Sequence, residues 1–210
     1  QTSLFKLHKR QSPEFLKLLM SAWIRMVSFE EATGFLKKMY YKVMTPSGTV
    51  DNVMRVHSLR PQTMNGHYTL YKSVLHHEDL SLPLWFLEAV AVYTSILNDC
   101  DYSLQHHYSN FEKLHENPEW CRSLRDALGE RAPGKVLVGK ELALMRYADK
   151  LTREPGAMIE EDIITAREEG ATDEEILEVN QVCAYFNYSN RTLNGLGVST
   201  EGDSIGYYQD

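Results

Sequence analysis

The feature that most restricts this chain is the spacing of its apolar residues. They recur three and four positions apart along most of its length and rarely alternate. A chain patterned in this way buries one stripe of each helix against other helices and has little from which to build a sheet. Punctuation supports the reading. Ser28 and Glu31 stand at capping-box spacing ahead of Ala32, Phe35, Leu36 and Met39, and Thr172 and Glu175 repeat that signal before a long apolar-periodic run closed by "GLG". Pro61 and Pro83 each suit the opening turn of a helix, while "TPSGTVDN" and "GERAPGK" read as connectors. The expectation is an all-α fold of roughly eight helices. A weak internal echo pairs Leu87-Glu88 with Leu177-Glu178, each ahead of an apolar helix.

Composition bounds what such a bundle can do. The 210 residues, 43% hydrophobic and 24% charged, suffice for one sizeable core. A net charge of -7 disfavours nucleic acid and acidic membranes as partners, and no apolar run reaches the ~20 residues that span a bilayer. Three widely spaced cysteines (100, 121 and 183) are not a disulfide framework, which suggests free thiols in a reducing compartment and hence a cytoplasmic location. The basic segment 1–21 reads as an N-terminal extension or cloning remnant, with Met20 as a plausible native start. Residues 22–198 read as the helical domain, and 199–210 as a polar tail, either loose or wrapped on a neighbouring subunit.

Chemistry concentrates in "LEAVAVYTSILNDCDYSLQHH", residues 87–107. Glu88 lies on an apolar helix about three turns before the break at Asn98 and Asp99. Cys100 falls at the start of the next helix, where unpaired backbone N–H groups favour a thiolate. His107 lies one turn beyond Ser103 on the same face, so an antiparallel pair of helices lets Glu88 reach His107. Acid, thiol and imidazole around one cavity can move a proton and activate sulfur. The plainer alternatives are a buried glutamate held by a structural partner and a cysteine that merely packs. His106 and His107 diverge by about 100° around the helix, so they cannot both face inward.

This stretch resembles the motif of the alkyl hydroperoxidase D-like, carboxymuconolactone decarboxylase family: a glutamate, an apolar helix, Cys-x-x-Cys, then a histidine four residues on. Glu88, Cys100, Ser103 and His107 stand at the four places. "AWIRMVSFEEATG", "DNVMRVHSLRPQTMNGHYTLYKSVLHH", "ELALMRYADKLTREP" and "DEEILEVNQVCAYFNYSNRTLNGLGV" extend the likeness, toward the peroxidase-related branch, over most of residues 22–198. The resemblance implies an all-helical fold, a small-molecule substrate and homo-oligomers, trimers or hexamers. In redox-active members the second cysteine of the motif attacks peroxide and the first closes the disulfide, with glutamate and histidine relaying the proton.

Here the attacking place is Ser103, so no disulfide can form within the motif. Three readings follow. Cys100 works as a lone peroxide-reducing thiol, resolved by an external thiol or by Cys121 or Cys183. Alternatively Glu88 and His107 perform acid–base chemistry on a small organic acid or lactone, with Arg55, His57 and Arg60 of "RVHSLR" holding a carboxylate and Tyr102 lining the substrate site; those charges equally suit a solvated turn. In the third, the protein is a silent oligomeric member of the family. The first is the leading expectation. No cofactor is expected, and the histidines at 67, 76 and 77 lack the spacing of a helical zinc motif. Tyr93, Trp85 and Phe186 are pocket candidates that are equally ordinary core residues.

Overall fold

The computed structural model describes residues 21–208; positions 1–20, most of the expected extension, lie outside the described residues. Among the described residues there are nine α-helices, two short 3-10 turns and no strand. In chain order the helices are α1 (Gly34–Val43), α2 (Asn52–Arg55), α3 (Pro61–Leu75), α4 (Leu84–Leu97), α5 (Asp101–Leu114), α6 (Pro118–Gly129), α7 (Gly139–Arg153), α8 (Glu160–Glu168) and α9 (Asp173–Leu196). The all-α expectation holds, with one helix more than the periodicity showed. That helix, α8, is short and mostly exposed, and its start is held by the Asp162 carboxylate accepting the Ile159 N–H at 2.9 Å.

The centre of the bundle is α4. Its sequence carries one charge, Glu88, and is apolar on every side, so it can only be stable surrounded. Every residue from Phe86 to Ser95 is buried, with α5, α6, α7 and α9 packed around it. The connection to α5 is short and tight. Asp99 takes a left-handed φ of 49°, the Cys100 N–H reaches back to the Ser95 carbonyl at 2.9 Å, and Asn194 of α9 donates to the Asn98 carbonyl at 2.9 Å. This reversal lays α5 back along α4 and fixes the register between them.

Two local signals resolve differently. Thr172 and Glu175 form a true capping box, each side chain accepting the other's backbone N–H. Ser28 and Glu31 make the same reciprocal bonds, yet around a turn, and α1 begins only at Gly34. Gly34 has a φ of +54°, which interrupts the backbone between the two. The two Leu-Glu pairs also part company: Leu87 is buried and Leu177 exposed, and Glu178 accepts the Ser81 and Leu82 N–H groups ahead of α4.

After α9 the chain turns at Gly197, whose φ of +59° and packing under Trp23 leave no room for a side chain. The segment beyond it folds back over its own domain. Ser199 N–H bonds Ser21, Asn52 donates from its side chain to the carbonyls of Ser199 and Glu201, and the Asn52 N–H donates to the Asp203 carboxylate at 3.0 Å.

Truncating the core at its centre, Phe86→Ala, is expected to cost about 3–5 kcal/mol. Removing the α9 cap, Thr172→Ala, should cost about 1 kcal/mol. Urea unfolding monitored by circular dichroism checks both, and a cost for Phe86→Ala no larger than for Thr172→Ala would show that α4 is not the centre of the core.

Candidate functional site

The reversal between α4 and α5 brings Glu88 and His107 together as the spacing predicts. Glu88 is fully buried, and its Oε2 lies 2.7 Å from His107 Nδ1. Its other oxygen, Oε1, accepts from Asn110 Nδ2 at 3.1 Å. A carboxylate can only accept, so His107 donates from Nδ1 and keeps Nε2 as its proton-accepting atom. Phe186 of α9 stands edge-on to the imidazole at 4.5 Å between centroids and holds it from the other side.

His107 lines a pocket of about 340 Å³ enclosed by α1, α3, α5, α9, the segment before α2 and the C-terminal segment. Ser103 stands on the same wall, one turn before His107. Its Oγ lies 2.8 Å from Ser95 Oγ, which in turn is within reach of the Ala91 carbonyl and Asn190. Tyr102 also lines the pocket; its hydroxyl donates to Asp203 Oδ2 at 2.5 Å and accepts the Val53 N–H at 3.1 Å.

Cys100 is placed elsewhere. It is 1% exposed, in a small apolar cluster with Ala22, Val56, Leu193 and Val198 that lies behind the pocket wall. Burial pushes its thiol up to about 11, against a smaller opposing pull from the Ser103 N–H. The helix-start effect expected to favour the thiolate is present, and desolvation exceeds it. Cys121 and Cys183 belong to the main core, so neither packs in the Cys100 cluster; Cys183 is held by Thr152 at 3.1 Å. All three cysteines are free.

Arg55 and His57 do not line the pocket. Arg55 is engaged with Asn52 Oδ1 at 3.0 Å, and His57 faces Thr63 at 3.0 Å. Of the aromatic candidates, Phe186 touches the site through His107, whereas Tyr93 turns its hydroxyl to Asp149 and Trp85 packs among Phe86, Phe111 and Trp120.

Several site residues were not singled out from the sequence. Asn110 lies three positions after His107, a helical spacing that could have found it. His67 is 3% exposed, with Nε2 2.9 Å from the Tyr185 hydroxyl, and burial first, then His57, lowers it to about 3. Asp51 lines the pocket too, raised by burial and by neighbouring Asp203 to about 6. The C-terminal segment supplies Ser204, Gly206 and Tyr207. The Tyr207 N–H donates to Asn110 Oδ1 at 2.6 Å, which ties this segment to the acid through one amide. Nothing local in "STEGDSIGYYQD" announces that contact.

No family model matches the chain. Sestrin-2 of Mus musculus is 23% identical over 180 residues, 84% of this chain and 35% of that protein, so the chain spans about a third of the length of this curated relative. An uncharacterized peroxidase-related protein from Ralstonia eutropha JMP134, described as an alkylhydroperoxidase AhpD core, matches with a TM-score of 0.75 at 20% identity, over 88% of this chain and 94% of that one. The debrominase Bmp8 matches with a TM-score of 0.65 at 16% identity, over 88% and 93% of the two chains, and it has also been solved in complex with 2,3,4-tribromopyrrole. This chain has the all-helical alkylhydroperoxidase D-like fold of the peroxidase-related proteins.

Proposed function

We propose that this chain is a small-molecule enzyme in which Glu88 and His107 form the proton-transfer pair and the pocket beside them holds a non-acidic organic substrate. The observation that carries the reading is the 2.7 Å carboxylate–imidazole contact on the pocket wall, with the Ser103 hydroxyl one turn away. A buried acid that fixes the tautomer of a histidine leaves the other ring nitrogen ready to take and return a proton. The carboxylate-bearing substrate that Arg55 and His57 suggested is disfavoured, because among the described residues no lysine or arginine lines the pocket. Acid–base chemistry therefore moves ahead of thiol chemistry as the favoured reading. The debrominase, which binds a bromopyrrole, supports a pocket in this fold suited to a small aromatic molecule.

Thiol-dependent peroxide reduction through Cys100 is the second reading. It is favoured by the Ser103 N–H acting on the sulfur and by the peroxidase-related neighbours. It requires the cluster around Cys100 to open and an external thiol to complete the cycle.

One experiment separates the two. The protein is treated with dilute hydrogen peroxide, oxidised cysteines are mapped by mass spectrometry, and peroxide consumption with dithiothreitol is followed. The acid–base reading expects wild type and Cys100→Ser to consume peroxide equally slowly, with Cys100 unmodified. Oxygen on Cys100, together with turnover that Cys100→Ser abolishes, would overturn it. Ser103→Cys places a thiol on the pocket wall. It should react with iodoacetamide at least tenfold faster than wild-type Cys100, and His107→Asn should reverse that gain.

The buried histidines set the pH window. Burial, with smaller contributions from neighbouring cations, lowers His67 to about 3 and His76 and His106 to about 4. Below about pH 6.5 the unfolded chain takes up protons that the folded one refuses, so stability present above that pH is lost as pH falls toward 4. Asp51, raised to about 6, and Asp203, raised chiefly by burial, work in the opposite direction, against these three histidines and His57, which burial lowers as well. Urea midpoints should fall between pH 7 and pH 4.5, and less steeply in His106→Gln. A profile flat over that range would contradict the neutral, buried state of these rings.

A further inference from the structure

Beyond His107 and Ser103, the pocket lining has a chemistry of its own. Its wall includes the rings of Tyr68, Tyr71, Tyr102, Tyr185 and Tyr207, whose faces are electron-rich. The ionisable carboxylate on that wall is Asp51, and its Oδ1 is enclosed with no hydrogen-bond partner. Neighbouring Asp203 is differently placed: its carboxylate is used by the Asn52 N–H and the Tyr102 hydroxyl. The charge acting on Asp51 is that of Asp203, another carboxylate, and among the described residues no lysine or arginine lines the pocket to neutralise it.

Two further polar atoms of lining residues are also left without a hydrogen bond: His67 Nδ1, and His106 Nε2, which stands 3.9 Å from Asp203 Oδ2. His67 is 3% exposed, its Nε2 is occupied by Tyr185, and its Nδ1 is enclosed without a partner. Buried polar atoms in native proteins are almost always paired, so three orphans among the residues lining one pocket indicate a missing partner rather than an accident of packing. A carboxylate, an imidazole nitrogen and a set of aromatic faces share one preference, which is for a protonated nitrogen carried on an apolar body.

We infer that the pocket takes a primary or secondary amine in its cationic form, with the ammonium at Asp51 and the apolar part among the tyrosines. The inference rests on the proposal that this pocket is the substrate site, and it names the substrate class. Anionic molecules are excluded by the same carboxylates. Neutral molecules of the same shape bind through the aromatic wall alone. The orientation leaves the far end of the ligand toward Ser103 and His107.

The test uses three ligands of matched shape, 3-phenylpropylamine, 3-phenylpropanol and 3-phenylpropionate, titrated calorimetrically into the full chain at pH 7.5. The amine is expected to bind at least tenfold more tightly than the alcohol, and the carboxylate more weakly than both. Asp51→Asn should remove the advantage of the amine while leaving alcohol binding unchanged, which also shows that the variant is folded. Equal binding of amine and alcohol, absence of amine binding at millimolar concentration, or an amine preference that survives Asp51→Asn would each overturn the inference. Glu88→Gln keeps the two proposals apart: it should leave the amine preference intact, since Glu88 stands behind His107. The proton-transfer proposal is tested separately by the cysteine experiments above, so either can fail alone.

Discussion

A carboxylate with no exposure must find donors inside the protein, and in this fold that requirement is met by one histidine and one amide. Glu88 is the single charge in an otherwise apolar central helix. Leaving it unpaired there would cost several kcal/mol, comparable with a large part of the stability of a domain this size. Much of the surrounding arrangement can be understood as what satisfies it. The tight reversal at Asp99 sets the register that brings His107 opposite, Phe186 braces the ring, and Asn110 takes the second oxygen. The same pairing that neutralises a liability of the core also presents a prepared proton acceptor to the pocket.

The parts of this site that were legible in the sequence are those governed by helical geometry. Glu88 and His107 sit on neighbouring helices joined by a short break, and a period of 3.6 residues is enough to aim them at one another. Ser103 follows from the face that carries His107, whereas Tyr102 and His106 line the pocket from the neighbouring face, so both adjacent histidines reach it although their directions diverge. Arg55 and His57 were misleading because charge in a turn says nothing of direction, and both side chains are engaged locally. Cys100 shows a different limit. Its position at a helix start is readable, whereas the balance between helix-end N–H groups and burial depends on the side chains packed over it, drawn from three other parts of the chain. The contribution of the C-terminal segment was beyond sequence reading altogether, since its contacts span about half the chain and involve ordinary polar residues.

The comparisons place the chain in a fold shared by peroxidase-related proteins and by a debrominase. Within that fold, Ser103 stands one turn before His107 on the pocket wall, and Cys100 lies in a separate apolar cluster. Among the described residues the lining is rich in aromatic rings and holds no lysine or arginine.

Asn110 has one amide and two obligations: its nitrogen holds Glu88 and its oxygen holds the backbone of Tyr207. One orientation of the amide serves both partners; turned over, it would set oxygen against oxygen at Glu88 and N–H against N–H at Tyr207. The outer wall of the cavity thus helps to hold the donor on which the innermost acid relies. A molecule that displaced Tyr207 would remove one of the two bonds that fix that amide.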